Sequence, residues 1–203
     1  MTDSDRQTEE RIFDAATEVF IDKGFDGARM QDIADHAGIN KSLLHYYYRT
    51  KDRLFNAVFE KIATVMFAKF AFVFDEKLTI EEKIRFFYRE HINFLKNNPR
   101  LPAFLLNEIN RNPERLKKLI GTIDVQKFGK IIFEQHGKEL NRYNITSENI
   151  PQIMTSIAAL SVFPFAARGI FEIFFEKFDV EFDNYLEDRK VFAAEFVIKA
   201  LRK

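Results

Sequence analysis

The sequence predicts an all-α fold, an N-terminal three-helix unit of helix-turn-helix proportions followed by a larger helical domain. Three observations carry that expectation. Apolar residues recur at helical spacing through most of the chain. No segment alternates apolar and polar residues as a half-buried strand would. Glycines, prolines and the Asn-Pro steps at 98–99 and 112–113 fall between the periodic stretches.

The first stretch, "SDRQTEERIFDAATEVFIDKGF", opens on Ser4 and Gln7, a capping-box pair. It places Ile12, Ala16, Val19 and Phe20 on one face and stops at Lys23-Gly24, a basic residue before a glycine C-cap. The second, "MQDIADHA", turns Met30, Ile33, Ala34 and Ala37 inward and ends at Gly38. Asn40 then caps a third helix, "KSLLHYYY", and Thr50 caps a long fourth helix that begins at Lys51. Further helices are expected over roughly 79–97 and 102–111, within 114–136, and near 147–175 and 182–202. Pro164 should kink or break the fourth of that series.

Two helices of about eight residues joined by "AGIN" are too short to stand alone and must lean on the first. In the third helix Leu44 and Tyr48, four apart, share the inward face with Ile39. Lys41, Ser42, His45, Tyr46 and Arg49 then point outward. A lysine, a hydroxyl, an imidazole and a phenol on one exposed face do not make a packing surface. They offer donors to phosphates and base edges at the spacing of a helix in a major groove. Residues 1–35 carry ten carboxylates against four basic groups, whereas 36–53 carry Lys41, Arg49, Lys51 and Arg53 against Asp52 alone. Lys51 also stands at a helix N-terminus, where free backbone N–H groups favour a phosphate. The competing interpretation is a solvated basic turn beside aromatics that merely pack.

"ARMQDIADHAGINKSLLHYYYRTKDRLFNAVF" resembles the DNA-binding region of the TetR family of bacterial transcriptional regulators. The shared features are the "IA..AG" second helix, the turn, the aromatic-rich third helix and the "K..L" that opens the fourth. The likeness covers roughly residues 8–60. Three positions depart from the family's pattern. Ala28-Arg29 replaces the Thr or Ser that usually enters the second helix, Ser42-Leu43 replaces a small Gly-Thr pair, and His45 stands where a tyrosine is usual. The resemblance implies a double-stranded DNA operator met by Arg29, Lys41, Ser42, Leu43, His45, Tyr46, Tyr47 and Lys51. In it Tyr47 contacts phosphate and Tyr48 is the buried aromatic. It further implies a repressor that works as a homodimer and leaves DNA when a small effector binds. The division expected is 1–50 for DNA binding and 51–203 for effector binding and dimerisation.

Within the larger domain, Ala194, Val197, Ile198 and Leu201 form an apolar stripe expected to pair two copies, with the small-residue face of 153–162 beside it. One protomer's core would explain the same stripe. The chain has 24 phenylalanines and no tryptophan. Either a compositional bias or an aromatic-lined cavity accounts for that excess. On the cavity reading Phe67, Phe87, Phe104 and Phe163 are walls and His91 is a polar anchor, for a small, mostly apolar effector. On the other, His91 is a hydrogen-bonded core residue. Glu108 and Arg168, polar groups in apolar runs, are a possible ion pair.

Other classes find less support. No cysteine is present, which excludes disulfides and thiolate metal sites. No Gly-rich phosphate loop, "HExxH" or nucleophile elbow occurs, and the four histidines have no carboxylates at ligand spacing, so no cofactor, metal or catalytic residue is expected. The polar N-terminus lacks a secretory h-region and no apolar run reaches a membrane span, so the expected location is the cytoplasm. The alternative function is a helical small-molecule-binding or carrier protein whose helix-turn-helix contacts a protein partner. An enzyme built around the phenylalanine-rich cavity is a third.

Overall fold

The computed structural model describes residues 3–68, 75, 77–114, 117, 125–143 and 145–202, with backbone only for 3, 4, 63, 66–68, 125–132 and 135. The expected capping side chain of Ser4 and the wall residue Phe67 lie outside the described side chains. Among the described residues there are helices and no strands. They are α1 (Asp3–Gly27), α2 (Met30–His36), α3 (Lys41–Tyr47), α4 (Lys51–Ala68), α5 (Ile80–Asn97), α6 (Leu101–Arg111), α7 (Val125–Arg142), α8 (Ile150–Ala166), α9 (Arg168–Glu176) and α10 (Phe182–Leu201).

The chain divides into two compact units. One comprises Met1–Phe67 and Phe104–Thr122, the other Ala68–Ala103 and Ile123–Lys203. The first unit keeps α4 and most of α6 because their apolar faces complete its core. Leu54, Phe55 and Val58 of α4 are buried with Ile12, Ala16 and Phe20 of α1 and Ile33, Ala34 and Leu44 of α2 and α3. Phe55 sits edge-on to Phe20 with ring centroids 4.8 Å apart, and Phe104 from α6 lies 5.9 Å from the same ring.

Local sequence explains where these helices begin and end. Gly24 breaks α1 rather than ending it: its backbone (φ 67°, ψ 177°) is reachable only by glycine, and a last turn follows to Gly27. Gly38 takes φ 66° after α2, and the amide of Ile39 closes back on Ala34 O. Asn40 accepts the Leu43 N–H at 2.8 Å and Thr50 accepts the Arg53 N–H at 3.2 Å, as the capping pattern predicts. Arg29 enters α2 with no side-chain cap.

In the second unit α5 and α10 form the main packing pair. Ile84, Tyr88, Ile92 and Leu95 of α5 are buried, as are Leu186, Ala193, Ala194, Val197 and Ile198 of α10. Thr79 and Glu82 open α5 with a reciprocal capping box. Proline acts on α8 as expected: the helix ends at Ala166, and α9 departs at 72°. Pro164 cannot supply the N–H that Leu160 O would receive in a helix. Arg189 of α10 donates to that carbonyl instead, at 3.2 Å. Among the described residues no single helix is long and apolar enough to cross a membrane, although the bent pair α8–α9 passes on length and composition.

Candidate nucleic-acid interface

Helix α3 turns one residue inward and most of its polar groups out. Leu44 is fully buried, while Lys41, Ser42, Leu43, His45 and Tyr46 are exposed, Tyr46 to 79%. His45 Nδ1 lies 3.3 Å from Arg49 O. A carbonyl can only accept, so Nδ1 is the donor in this contact. The ring of Tyr46 meets Tyr47 edge-on at 5.4 Å. Arg29 is exposed at the start of α2. The arrangement is a short, capped helix presenting an ammonium, a hydroxyl, an imidazole and a phenol from a rigid core.

The acidic α1 explains the other two tyrosines. Tyr47 is half-buried and its hydroxyl donates to Asp5 at 3.3 Å; Tyr48 donates likewise to Glu9 at 3.3 Å. Burial first, and then these carboxylates, raise both phenols above their ordinary range. Tyr48 is therefore not the inward aromatic expected. It ends α3 in extended backbone and is only partly covered. The carboxylates of α1 that hold these hydroxyls were not legible as partners, since they lie 42 and 39 residues away.

Lys51 also differs from expectation. Its ammonium donates to Phe25 O at 2.8 Å and Ala28 O at 3.0 Å, and it sits 4.4 Å from the centroid of the Phe25 ring. It caps the carbonyl end of α1, a favourable place for a cation. A group so engaged holds the α1–α2 corner together. Glu108 was expected near Arg168. Instead, it is buried and accepts the Phe25 N–H at 3.0 Å, while Arg168 pairs with Glu172 at 2.7 Å and lies over Phe182.

Of the residues assigned to an effector cavity whose side chains are described, Phe104 belongs to the first unit and Phe87, His91 and Phe163 to the second. Phe87 and His91 do meet, with centroids 5.0 Å apart. Phe104 is packed in the first unit's core beside Phe55, and Phe163 is 57% exposed against Phe171. His91 is buried, its Nδ1 3.0 Å from Ser161 Oγ. Ser161 Oγ also lies 2.9 Å from Ala158 O and 3.3 Å from Ile157 O, carbonyls of its own helix. Burial pulls the imidazole down to about 4, which keeps it neutral. The arrangement is that of the hydrogen-bonded core histidine.

In the stripe expected to pair two copies, Ala194, Val197 and Ile198 are buried against their own unit and Leu201 is half-buried. The exposed apolar side of α10 is the opposite one, Val191, Phe192 and Phe196, with Met154 exposed on α8. Among the described residues no group of acidic or histidine side chains is arranged to hold a metal ion.

Residues 12–58 match the family model described as "Bacterial regulatory proteins, tetR family". The HTH-type transcriptional activator FasR of Mycolicibacterium smegmatis is 43% identical over 47 residues, 23% of this chain and 22% of that protein. The HTH-type transcriptional repressor SCO4008 of Streptomyces coelicolor is 46% identical over 54 residues, 27% of this chain and 28% of that protein. These matches span about a quarter of each relative's length. The transcriptional regulator FadR from Bacillus subtilis, crystallised in complex with stearoyl-CoA, superimposes with a TM-score of 0.68 at 17% identity, over 95% of this chain and 98% of that one. That likeness extends the shared fold to nearly the full chain.

Proposed function

We propose that this chain, whose residues 12–58 match the model of the bacterial tetR family of regulatory proteins, is a cytoplasmic DNA-binding transcriptional regulator. We take it to be a repressor that acts as a homodimer and is released from its operator by a mostly apolar effector. The observation that carries the proposal is the exposed face of α3, with Lys41, Ser42, His45 and Tyr46 outward while Leu44 anchors the helix. Lys41 and Arg29 supply charge for phosphates, and His45 and Tyr46 supply directional contacts to base edges. The second copy meets the exposed α10 face of Val191, Phe192 and Phe196. The two α3 helices of such a dimer would read two half-sites of a near-palindromic operator.

Support for an apolar effector comes from the stearoyl-CoA complex of the structurally similar regulator and from the surplus of phenylalanine in this chain. To act, such a ligand must bind the DNA-incompetent arrangement more tightly, because equal affinity for both shifts nothing. The test is capture of bound fragments from genomic DNA followed by titration in increasing salt. With six or so phosphates neutralised per dimer, log K should fall against log salt with a slope of about −5. A slope near zero removes operator binding from consideration. Addition of stearoyl-CoA to the captured complex tests release, with about tenfold weaker binding corresponding to a coupling of ~1.4 kcal/mol.

A further inference from the structure

We infer that Glu108 of α6 is a positioning residue for α3, holding the α1–α2 corner in the arrangement that presents the DNA-facing helix. The inference rests on the reading that α3 meets DNA. The corner begins where Gly24 breaks α1, and from there the backbone is no longer served by a regular helix. Phe25 is the residue where this matters most, and both of its backbone groups are taken by side chains from distant elements. Glu108 Oε1 accepts its N–H at 3.0 Å, 83 residues away in sequence, and Lys51 donates to its carbonyl at 2.8 Å. The Phe25 ring packs edge-on to Phe55 at 5.1 Å and beneath the Lys51 ammonium, so the corner is held from three sides.

Glu108 is only 4% exposed, and a carboxylate is costly to bury unless it is bonded. A packing role alone would be better filled by leucine or methionine at this site. Arg111, one turn further along α6, reaches Asp26 of the same corner at 3.0 Å. That pair is largely exposed and adds little holding force. Between the corner and α3 lies only the seven-residue α2, itself fixed through Ile33 and Ala34. A shift of Phe25 is therefore passed to α3 as a rotation of a small rigid body.

The test uses the full chain with Glu108→Leu and Glu108→Gln. Two quantities are read: exchange protection of the Phe25 amide, and the dissociation constant and salt slope for a duplex captured with the wild-type protein. Glutamine keeps an acceptor for the amide and leucine keeps only volume. We expect Leu to deprotect Phe25 and weaken duplex binding about tenfold by reducing the competent fraction, with an unchanged salt slope because no phosphate contact is lost. Gln should stay within twofold of wild type in both. Should the Leu variant not fold, Glu108→Asn, one methylene too short to reach Phe25, takes its place under the same criteria. Wild-type affinity in a variant whose Phe25 amide is deprotected overturns the inference, as does a Gln variant as impaired as Leu. A wild-type protein that binds no DNA would remove the function reading and the positioning role with it. That outcome is told apart from failure of the Glu108 bond by the Phe25 amide, whose protection needs no DNA.

Discussion

Replacing Lys51 with methionine separates two accounts of the same residue. Methionine retains an apolar stem over Phe25 and removes only the ammonium. If Lys51 holds the α1–α2 corner, the loss is two charge-assisted hydrogen bonds, at 2.8 and 3.0 Å, and one cation–π contact at 4.4 Å. Charge-assisted bonds contribute about 1.5–3 kcal/mol each when well shielded. The cation–π contact adds roughly 0.5–1 kcal/mol. Lys51 is half-exposed, so water recovers part of this, and about 2 kcal/mol of net destabilisation is the expected result. For a chain of this length that lowers Tm by about 4–8 °C. The assay pairs thermal unfolding with duplex binding over a range of salt. The corner account expects a lower Tm, somewhat weaker binding and an unchanged slope of log K against log salt. A phosphate contact, made twice in a dimer, would instead flatten the slope by about 2 and leave Tm alone. That second pattern would refute the structural role assigned to Lys51.

Other substitutions test the remaining assignments. Phe196→Glu should give a folded monomer in analytical ultracentrifugation, since closing a symmetric interface over Phe192 and Phe196 buries roughly 120 Å² of each ring, about 3 kcal/mol apiece. Val197→Glu, one residue along, should fail to fold because it puts a charge in the protomer's core, and an unchanged dimer in Phe196→Glu would move the interface elsewhere. His91 is held at about 4 in the folded chain against an ordinary 6.5, so the unfolded chain binds the extra proton first. The associated stability, about 3 kcal/mol, is fully present above pH 6.5 and lost as pH falls towards 4. His91→Gln should unfold with no such dependence across that window, and matching pH profiles for the two proteins would refute the assignment. Glu81 is bound by Arg202 at 2.9 Å and by the Tyr143 hydroxyl at 2.7 Å, which hold its carboxyl at about 2 against 4.5. Its contribution is present above pH 4.5 and lost as pH falls through about 2, so the stability gap between wild type and Glu81→Gln should close over that range in acid unfolding curves.

The sequence by itself determined the all-helical class and nearly the whole of the α2–turn–α3 segment, because what shapes that segment acts over a few residues. Asn40 and Thr50 cap amides three positions ahead, Gly38 supplies the backbone only it adopts readily, and helical spacing alone puts Leu44 inward and Lys41, Ser42, His45 and Tyr46 outward. What only the tertiary structure decided is which of several equivalent faces or partners a residue takes. α10 is apolar on more than one side, so periodicity could not say whether Ala194, Val197 and Ile198 or Val191, Phe192 and Phe196 turn inward; packing on α5 chose the first set. Phe87, Phe104 and Phe163 are alike in sequence yet lie beside a buried histidine, in the core around Phe55 and on the surface, because burial of an aromatic depends on what other helices cover it. The partners of Tyr47, Lys51 and Glu108 lie 42, 26 and 83 residues away, and a hydrogen bond of that range follows from the fold and leaves no periodic trace in the chain.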